Sequence, residues 1–198
     1  MVVVNITIYT LVCATLILAV LILDRDEPEP PMLLGGAFLW GAIPSTLIAW
    51  NTLELVTNLL TVAVVEEGLK GFLLALYLIC HSHEVCNRRD IFIYSTFIGM
   101  GFAYGEGVYY LMLQVHTWGV FFYVLLHVGW LLSTGMGLLY GHHIGNVGPG
   151  LVGAGVAVMA HALYNYWVAY NPPLAVLSYL VSLVFIGGGY LYLIGGKY

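Results

Sequence analysis

Charged residues are scarce in this sequence. Only 8% of its 198 residues are Asp, Glu, Lys or Arg, whereas 61% are hydrophobic. A soluble domain of this size needs a polar surface that such a composition cannot supply, so the sequence predicts a protein with several membrane-spanning segments. The 5 basic residues form no cluster and the net charge is −5, so no nucleic-acid partner is expected.

Several motifs of catalytic and metal sites are also absent. Cys13, Cys80 and Cys86 form no C-x-x-C pair and are odd in number, which argues against a zinc knuckle and a disulfide framework and predicts free thiols. No serine lies in a G-x-S-x-G sequence, so a serine mechanism fits poorly. There is no H-E-x-x-H sequence either, which weakens a zinc enzyme without excluding it.

Apolar segments follow one another along the whole chain, and each is long enough to cross a bilayer as a helix. The first one lacks a basic start and a small-residue cleavage site, so it is predicted to be a retained helix and not a signal peptide. We expect an all-α bundle of about seven transmembrane helices that forms one integral-membrane domain over residues 1–198, without internal repeats. The predicted spans cover residues 2–23, 32–50, 57–80, 91–113, 119–140, 150–170 and 174–194.

The basic residues outside these spans predict the orientation of the chain. With seven spans, Arg25, Arg88, Arg89 and Lys197 all fall on the same side of the membrane. Loops rich in Lys and Arg remain cytoplasmic. The sequence therefore predicts an external N-terminus and a cytoplasmic C-terminus.

The third predicted span contains three ionisable residues, Glu66, Glu67 and Lys70. Each such side chain at the centre of a membrane helix costs roughly 2.5 to 3.5 kcal/mol, so the three together need partners and indicate a function. On a helix Lys70 lies one turn from Glu66 and is also within reach of Glu67. Because one ammonium cannot neutralise two carboxylates, the remaining spans must supply a polar pocket.

Four further polar residues lie inside later spans: Glu106, His127, His161 and Asn165. His161 and Asn165 are one helical turn apart and share a face. Counting about 1.5 Å per residue along spans of alternating direction places Glu66 and these four residues within roughly 7 Å of the midplane, on its outer side. The sequence therefore predicts a single intramembrane site.

This set of residues is sufficient for peptide hydrolysis without a covalent intermediate. Two carboxylates at low dielectric resist full charge together, so one of them is expected to accept and return a proton near neutral pH. A glutamate can then activate water while His and Asn donors stabilise the oxyanion. A His2Glu-type zinc shell drawn from Glu66, Glu106, His127 and His161 ranks second, because Lys70 would add positive charge beside the metal. We therefore expect no metal and no other cofactor.

The polar residues form four sequence motifs in a motif-bearing core at about residues 57–170: Glu66-Glu67-Gly68-Leu69-Lys70 (EExxK), Phe102-Ala103-Tyr104-Gly105-Glu106 (FxxxE), an isolated His127 and His161-Ala162-Leu163-Tyr164-Asn165 (HxxxN). In this order the four motifs, which cover residues 64–165, resemble the PrsW family of intramembrane glutamate-dependent proteases. That family lies within the superfamily that also contains the CAAX-processing proteases. The CAAX-processing enzymes instead have EExxxR and FxxxH, so Lys70 and Glu106 favour the PrsW branch.

The resemblance implies a role for most of these residues. Glu66 would activate the water, Glu67 and Lys70 would adjust its charge, and Glu106 would assist. The pair His161 and Asn165 would form the oxyanion site, whereas no definite role follows for His127. The family implication is cleavage of a single-span protein such as an anti-sigma factor, near the outer face of a prokaryotic plasma membrane.

Two other classes of function remain open from the sequence. A proton-coupled transporter or channel also uses chains of Glu, His and Lys inside the membrane. The predicted seven spans and the absence of an inverted repeat argue against it. A non-catalytic membrane scaffold that keeps the cluster as structure is the third reading.

Overall fold

The computed structural model describes residues 2–23, 28–55, 58–81, 87–114 and 119–195. Within these ranges the backbone forms seven α-helices, two short 3-10 helices and no strand, which confirms the all-α prediction. The helices are α1 (Val2–Leu23), α2 (Pro31–Leu55), α3 (Leu59–Cys80), α4 (Arg88–Met112), α5 (Tyr123–Ile144), α6 (Gly148–Tyr170) and α7 (Ala175–Gly195), with 3-10 turns at Gly119–Phe122 and Pro172–Leu174.

The length and composition of the helices fit a bundle that crosses a membrane. In the described ranges, α1, α2, α5, α6 and α7 are long and apolar enough to span a bilayer. Helices α3 and α4 have 22 and 25 residues, which is also sufficient length, and they carry the buried acidic residues and the lysine of the predicted site. The protein is thus a helical membrane bundle with ionisable side chains inside it.

Two helix starts differ from the predicted ones because asparagine side chains cap them. Asn58 accepts a hydrogen bond from the Leu60 N–H at 2.9 Å, so α3 begins at Leu59. Asn87 and Asp90 form a capping box that starts α4 at Arg88, three residues before the predicted boundary at residue 91.

Two helix ends are also later than predicted. Helix α2 continues to Leu55, whereas the second predicted span ends at residue 50. Helix α5 continues past residue 140 to Ile144 and ends at Gly145, whose φ of 64° is the left-handed conformation typical of a helix C-terminus.

Helix α4 is the central helix, and most of its residues from Asp90 to Gly107 are buried. A Cβ at Gly101 would collide with the backbone carbonyl of Phe38 on α2, and a Cβ at Gly99 would meet the Val128 backbone on α5. The glycines therefore allow two neighbouring helices to approach α4 closely. This packing holds the face of α4 that contains Glu106.

The end of the bundle remote from Glu66 is tied by two tyrosine hydroxyls. Tyr94 on α4 donates to the buried Glu29 carboxylate at 2.9 Å, and Tyr77 on α3 donates to the Leu33 carbonyl of α2 at 3.1 Å. Helices α2, α3 and α4 are therefore fastened together at this end.

Some sequence predictions concern residues on which the structure is silent. Cys13 and Cys80 are free thiols, one buried and one exposed, as expected. Cys86, Arg25 and Lys197 lie outside the described residues. The predicted orientation of the chain therefore stays a prediction.

Candidate active site

Helix α3 presents its three ionisable side chains to the interior of the bundle. Glu66, Glu67 and Lys70 are 3%, 1% and 0% exposed, whereas Val64, Val65 and Gly68 lie on the outer face. The helical period explains this division, since positions 66, 67 and 70 lie within one turn on one side. An inward direction keeps the charges away from lipid, where they would be costly.

Lys70 has four partners in its buried position. Its ammonium donates to Glu67 Oε1 and to His127 Nδ1, the second at 2.8 Å. It also lies 4.7 Å from the ring centroid of Phe102 and 5.7 Å from that of Trp130, within the range of cation–π attraction. The sequence allowed pairing with either glutamate, and in the structure the hydrogen bond goes to Glu67.

The hydrogen bonds of Glu67 fix the orientation of His161. Glu67 Oε1 accepts from Lys70 and lies 2.7 Å from His161 Nδ1. Because an ionised carboxylate only accepts hydrogen bonds, His161 Nδ1 must carry a proton. The opposite ring nitrogen, Nε2, then faces Glu66 Oε2 at 3.9 Å, which is too long for a direct hydrogen bond.

His127 connects Lys70 to Glu106. An ammonium can only donate hydrogen bonds, so His127 Nδ1 accepts from Lys70. In the neutral ring, the proton then lies on Nε2. Nε2 is 2.9 Å from Glu106 Oε2. This contact lacks the alignment of a hydrogen bond, so Glu106 Oε2 has no hydrogen-bond partner among the described residues.

The structure thus brings together six of the seven residues predicted from the sequence: Glu66, Glu67, Lys70, Glu106, His127 and His161. Asn165 is the exception. It lies on α6 one turn beyond His161, is half-buried, and forms no hydrogen bond with another described residue. Its amide is therefore available to a group that enters beside His161.

Several buried polar atoms of the cluster have no partner among the described residues. They include the Oε2 atoms of Glu66, Glu67 and Glu106 and the indole Nε1 of Trp130. Buried polar groups are nearly always satisfied, and leaving one unpaired costs about 1–3 kcal/mol. Three free acceptors and one free donor in the same cluster match a place for water or for a polar part of a ligand.

Sequence reasoning missed the aromatic walls of this cluster. The Trp130 ring stacks on the His161 ring, with centroids 4.5 Å apart and planes at 20°. The Phe102 ring, which belongs to the FxxxE motif but had no predicted role, lies 5.4 Å from the His127 ring. Helical spacing could have indicated both residues, since Trp130 follows His127 by three positions and Phe102 precedes Glu106 by four.

The cluster also contains a candidate metal site. Glu66, Glu106 and His127 each offer one ligand atom, and these three atoms lie within 4.8 Å of one another. Carboxylate oxygens and imidazole nitrogens are donors that zinc prefers, so the two glutamates fit a divalent cation. His127 does not fit, because a neutral imidazole binds metal through an unprotonated nitrogen and Lys70 already occupies that nitrogen.

Comparison with known proteins gives one result. A family model described as PrsW family intramembrane metalloprotease matches residues 29–188, a range that contains every residue of the cluster. No curated protein and no solved structure matches the chain. Since the match covers most of the sequence, the chain belongs to the PrsW family of intramembrane metalloproteases.

Proposed function

We propose that the protein is an intramembrane endopeptidase that hydrolyses a peptide bond of a single-span membrane protein with water activated by Glu66. The observation that carries this proposal is that two carboxylate oxygens of one buried cluster, Glu66 Oε2 and Glu106 Oε2, have no hydrogen-bond partner among the described residues. A water molecule that donates to both would be held beside a base. Membership of a family of intramembrane proteases supports the same chemistry.

The reaction would proceed by direct attack of water on the scissile carbonyl carbon. Glu66 removes a proton from the water as the new C–O bond forms, which gives a tetrahedral oxyanion. Breakage of the C–N bond then returns the proton from Glu66 to the leaving amine. Glu106 keeps the water in place, and the products are a new carboxylate and a new amino terminus.

His161 and Asn165 would stabilise the oxyanion. Glu67 accepts a hydrogen bond from His161 Nδ1, and Nε2 faces Glu66 Oε2 at 3.9 Å, beyond hydrogen-bonding distance. A second proton on Nε2 would make this nitrogen a donor to the oxyanion. The free amide of Asn165 lies one turn away on the same helix face. Donors that are aimed at developing charge in a dry site contribute more than they would in water.

The position of the cluster supports a substrate that is cut near one membrane face. Glu66 is the eighth residue of α3, and His127 is the fifth residue of α5, so both lie near the same end of the bundle. The predicted orientation, which follows from the basic loop residues, would make that end the external side of a prokaryotic plasma membrane, with the C-terminus cytoplasmic. A single-span protein such as an anti-sigma factor would present its bond at this level.

The family description names a metalloprotease, and the Glu66–Glu106–His127 grouping is the observation that favours a metal-dependent variant. The contact between Lys70 and His127 favours the metal-free reaction. A chelator distinguishes the two. Metal-free hydrolysis continues at an unchanged rate after exhaustive chelation, whereas a metal-dependent enzyme stops and recovers when zinc is restored.

The test of the proposed function is cleavage of a panel of single-span substrates by purified protein in liposomes. Glu66→Gln should abolish cleavage, because an amide cannot accept the proton. Glu29→Gln is the matched control, since Glu29 is a buried glutamate at the other end of the bundle. Equal cleavage by wild type and both variants would refute the role of Glu66, and a failure of wild type on every substrate, with proton flux across the same liposomes, would favour a transporter.

A further inference from the structure

Trp130 lies inside the cluster and not beside it. Its side chain is 1% exposed and is among the largest fully buried side chains of the described residues. It stacks on His161, meets the His127 ring edge-on at a centroid distance of 5.6 Å, and lies 5.7 Å from the Lys70 ammonium. One indole therefore contacts three of the ionisable side chains.

The contact with His161 determines which part of the imidazole faces Glu66. Stacking at 4.5 Å and 20° fixes the plane of the ring, while the hydrogen bond from Nδ1 to Glu67 fixes its rotation within that plane. Together the two contacts direct Nε2 towards Glu66. Without the indole, the imidazole could tilt or flip and present the other nitrogen.

The contact with Lys70 has a similar consequence. The Phe102 and Trp130 rings both lie within cation–π range of the ammonium, which stays between Glu67 and His127. Loss of the indole would remove one of the two rings and leave space into which the ammonium could move. The orientation of both histidine rings depends on the position of this ammonium and of Glu67.

We propose that Trp130 is a positioning residue of the active site, which acts by holding His161 with Nδ1 on Glu67 and Nε2 towards the substrate. The kinetic part of this inference rests on the proposed function, but the orientation of the imidazole does not. A flat ring at position 130 is the required feature. The indole N–H forms no hydrogen bond with a described residue, so Trp130→Phe breaks no such bond in the free protein.

The kinetic test compares Trp130→Leu, Trp130→Phe and the control Trp167→Leu, which changes a partly buried tryptophan on α6 outside the cluster. Trp130→Leu should lower kcat by roughly 30-fold or more with KM within about twofold, because a misplaced catalytic group can cost about 100-fold. Trp130→Phe should retain activity within about fivefold of wild type, because a flat ring still stacks. Trp167→Leu should leave kcat unchanged.

The decisive readout is the 15N NMR spectrum of protein labelled at histidine. In wild type, His161 should give a proton on Nδ1, and its signals are identified by their loss in His161→Gln. Trp130→Phe should keep this pattern, whereas Trp130→Leu should give a mixture of protonation at Nδ1 and Nε2. This readout needs no substrate, so it stands even if no cleavage is found.

An unchanged His161 spectrum in folded Trp130→Leu would overturn the proposal, as would equal losses of kcat in Trp130→Leu and Trp130→Phe. If Trp130→Leu does not fold, Trp130→Met replaces it with the same expectations. If neither folds, Trp130 is a core residue and the proposal is wrong.

Discussion

Removal of the Lys70 ammonium tests whether the buried charges depend on one another. The side chain is fully buried and donates to both Glu67 and His127. Lys70→Met keeps an unbranched apolar chain of similar length but leaves Glu67 with the hydrogen bond to His161 and without its ammonium partner. A buried carboxylate without its ammonium is the unfavourable result of breaking a buried ion pair.

Breaking such a pair by removing one partner costs about 3–5 kcal/mol. The hydrogen bond from His161 Nδ1 still satisfies Glu67 Oε1, so we expect a loss at the lower end of this range, about 3 kcal/mol, for Lys70→Met. In a chain of this length, each kcal/mol shifts the unfolding midpoint by roughly 2–4 °C, so the midpoint should fall by roughly 6–12 °C. Thermal unfolding of the purified protein in detergent measures this shift.

The double variant Glu67→Gln/Lys70→Met is the informative comparison. It removes both charges, and the glutamine oxygen still accepts from His161 Nδ1. Replacing a whole buried ion pair is often nearly neutral, so the double variant should unfold within roughly 4 °C of wild type. Leu74→Met is the control for placing methionine in this buried part of α3, and should cost under about 1.5 kcal/mol.

Two results would refute this reasoning. One is a Lys70→Met protein that unfolds at the wild-type temperature, which would mean that Glu67 does not need the ammonium. The other is a double variant whose loss of stability equals the sum of the losses in Lys70→Met and in Glu67→Gln alone. The effects of independent sites add, whereas those of coupled sites do not.

Two further predictions concern packing and the oxyanion site. Gly101→Ala should lower the free energy of unfolding by about 1–3 kcal/mol, because its Cβ meets the α2 backbone, whereas Gly68→Ala has open space and should be neutral or slightly stabilising; thermal unfolding of both variants decides this, and equal losses would contradict it. Asn165→Ala should lower kcat by about tenfold without changing thermal stability, because the Asn165 side chain forms no hydrogen bond with another described residue; an unchanged kcat would exclude it from the oxyanion site.

The helices and the gathering of polar residues were predictable because the lipid bilayer constrains both the backbone and the ionisable side chains. Lipid requires long apolar helices, and it directs ionisable side chains such as Glu66, Glu106 and His161 inward, where helices of alternating direction bring them to one level. The small residues of α4 are a sequence signal of the same kind, since a missing Cβ at Gly101 matters only where another backbone passes.

The partners within the cluster could not be predicted in the same way. Helical spacing allowed Lys70 to pair with either glutamate, and the choice of Glu67 depends on where α5 and α6 place His127 and His161. The spacing from His127 could place Trp130 on the same face of α5, but it could not show which residue of another helix the indole would contact. Its role depends on stacking against a residue of another helix.

Helix ends were predicted only to within a few residues, because hydropathy alone does not show at which residue a helix begins or ends. The start of α4 depends on the Asn87 side chain, and the end of α5 depends on the left-handed conformation of Gly145. Both are local backbone arrangements at the edge of an apolar run, where composition changes gradually.

The rate of cleavage by Glu66→Gln, measured in metal-free buffer beside wild type and Glu29→Gln, decides whether Glu66 is the base that activates the water. Removal of a general base costs about 100-fold to 10,000-fold in rate. We therefore expect cleavage by wild type and Glu29→Gln and a loss of at least about 100-fold for Glu66→Gln. Cleavage by Glu66→Gln at a rate near that of wild type would contradict this role of Glu66.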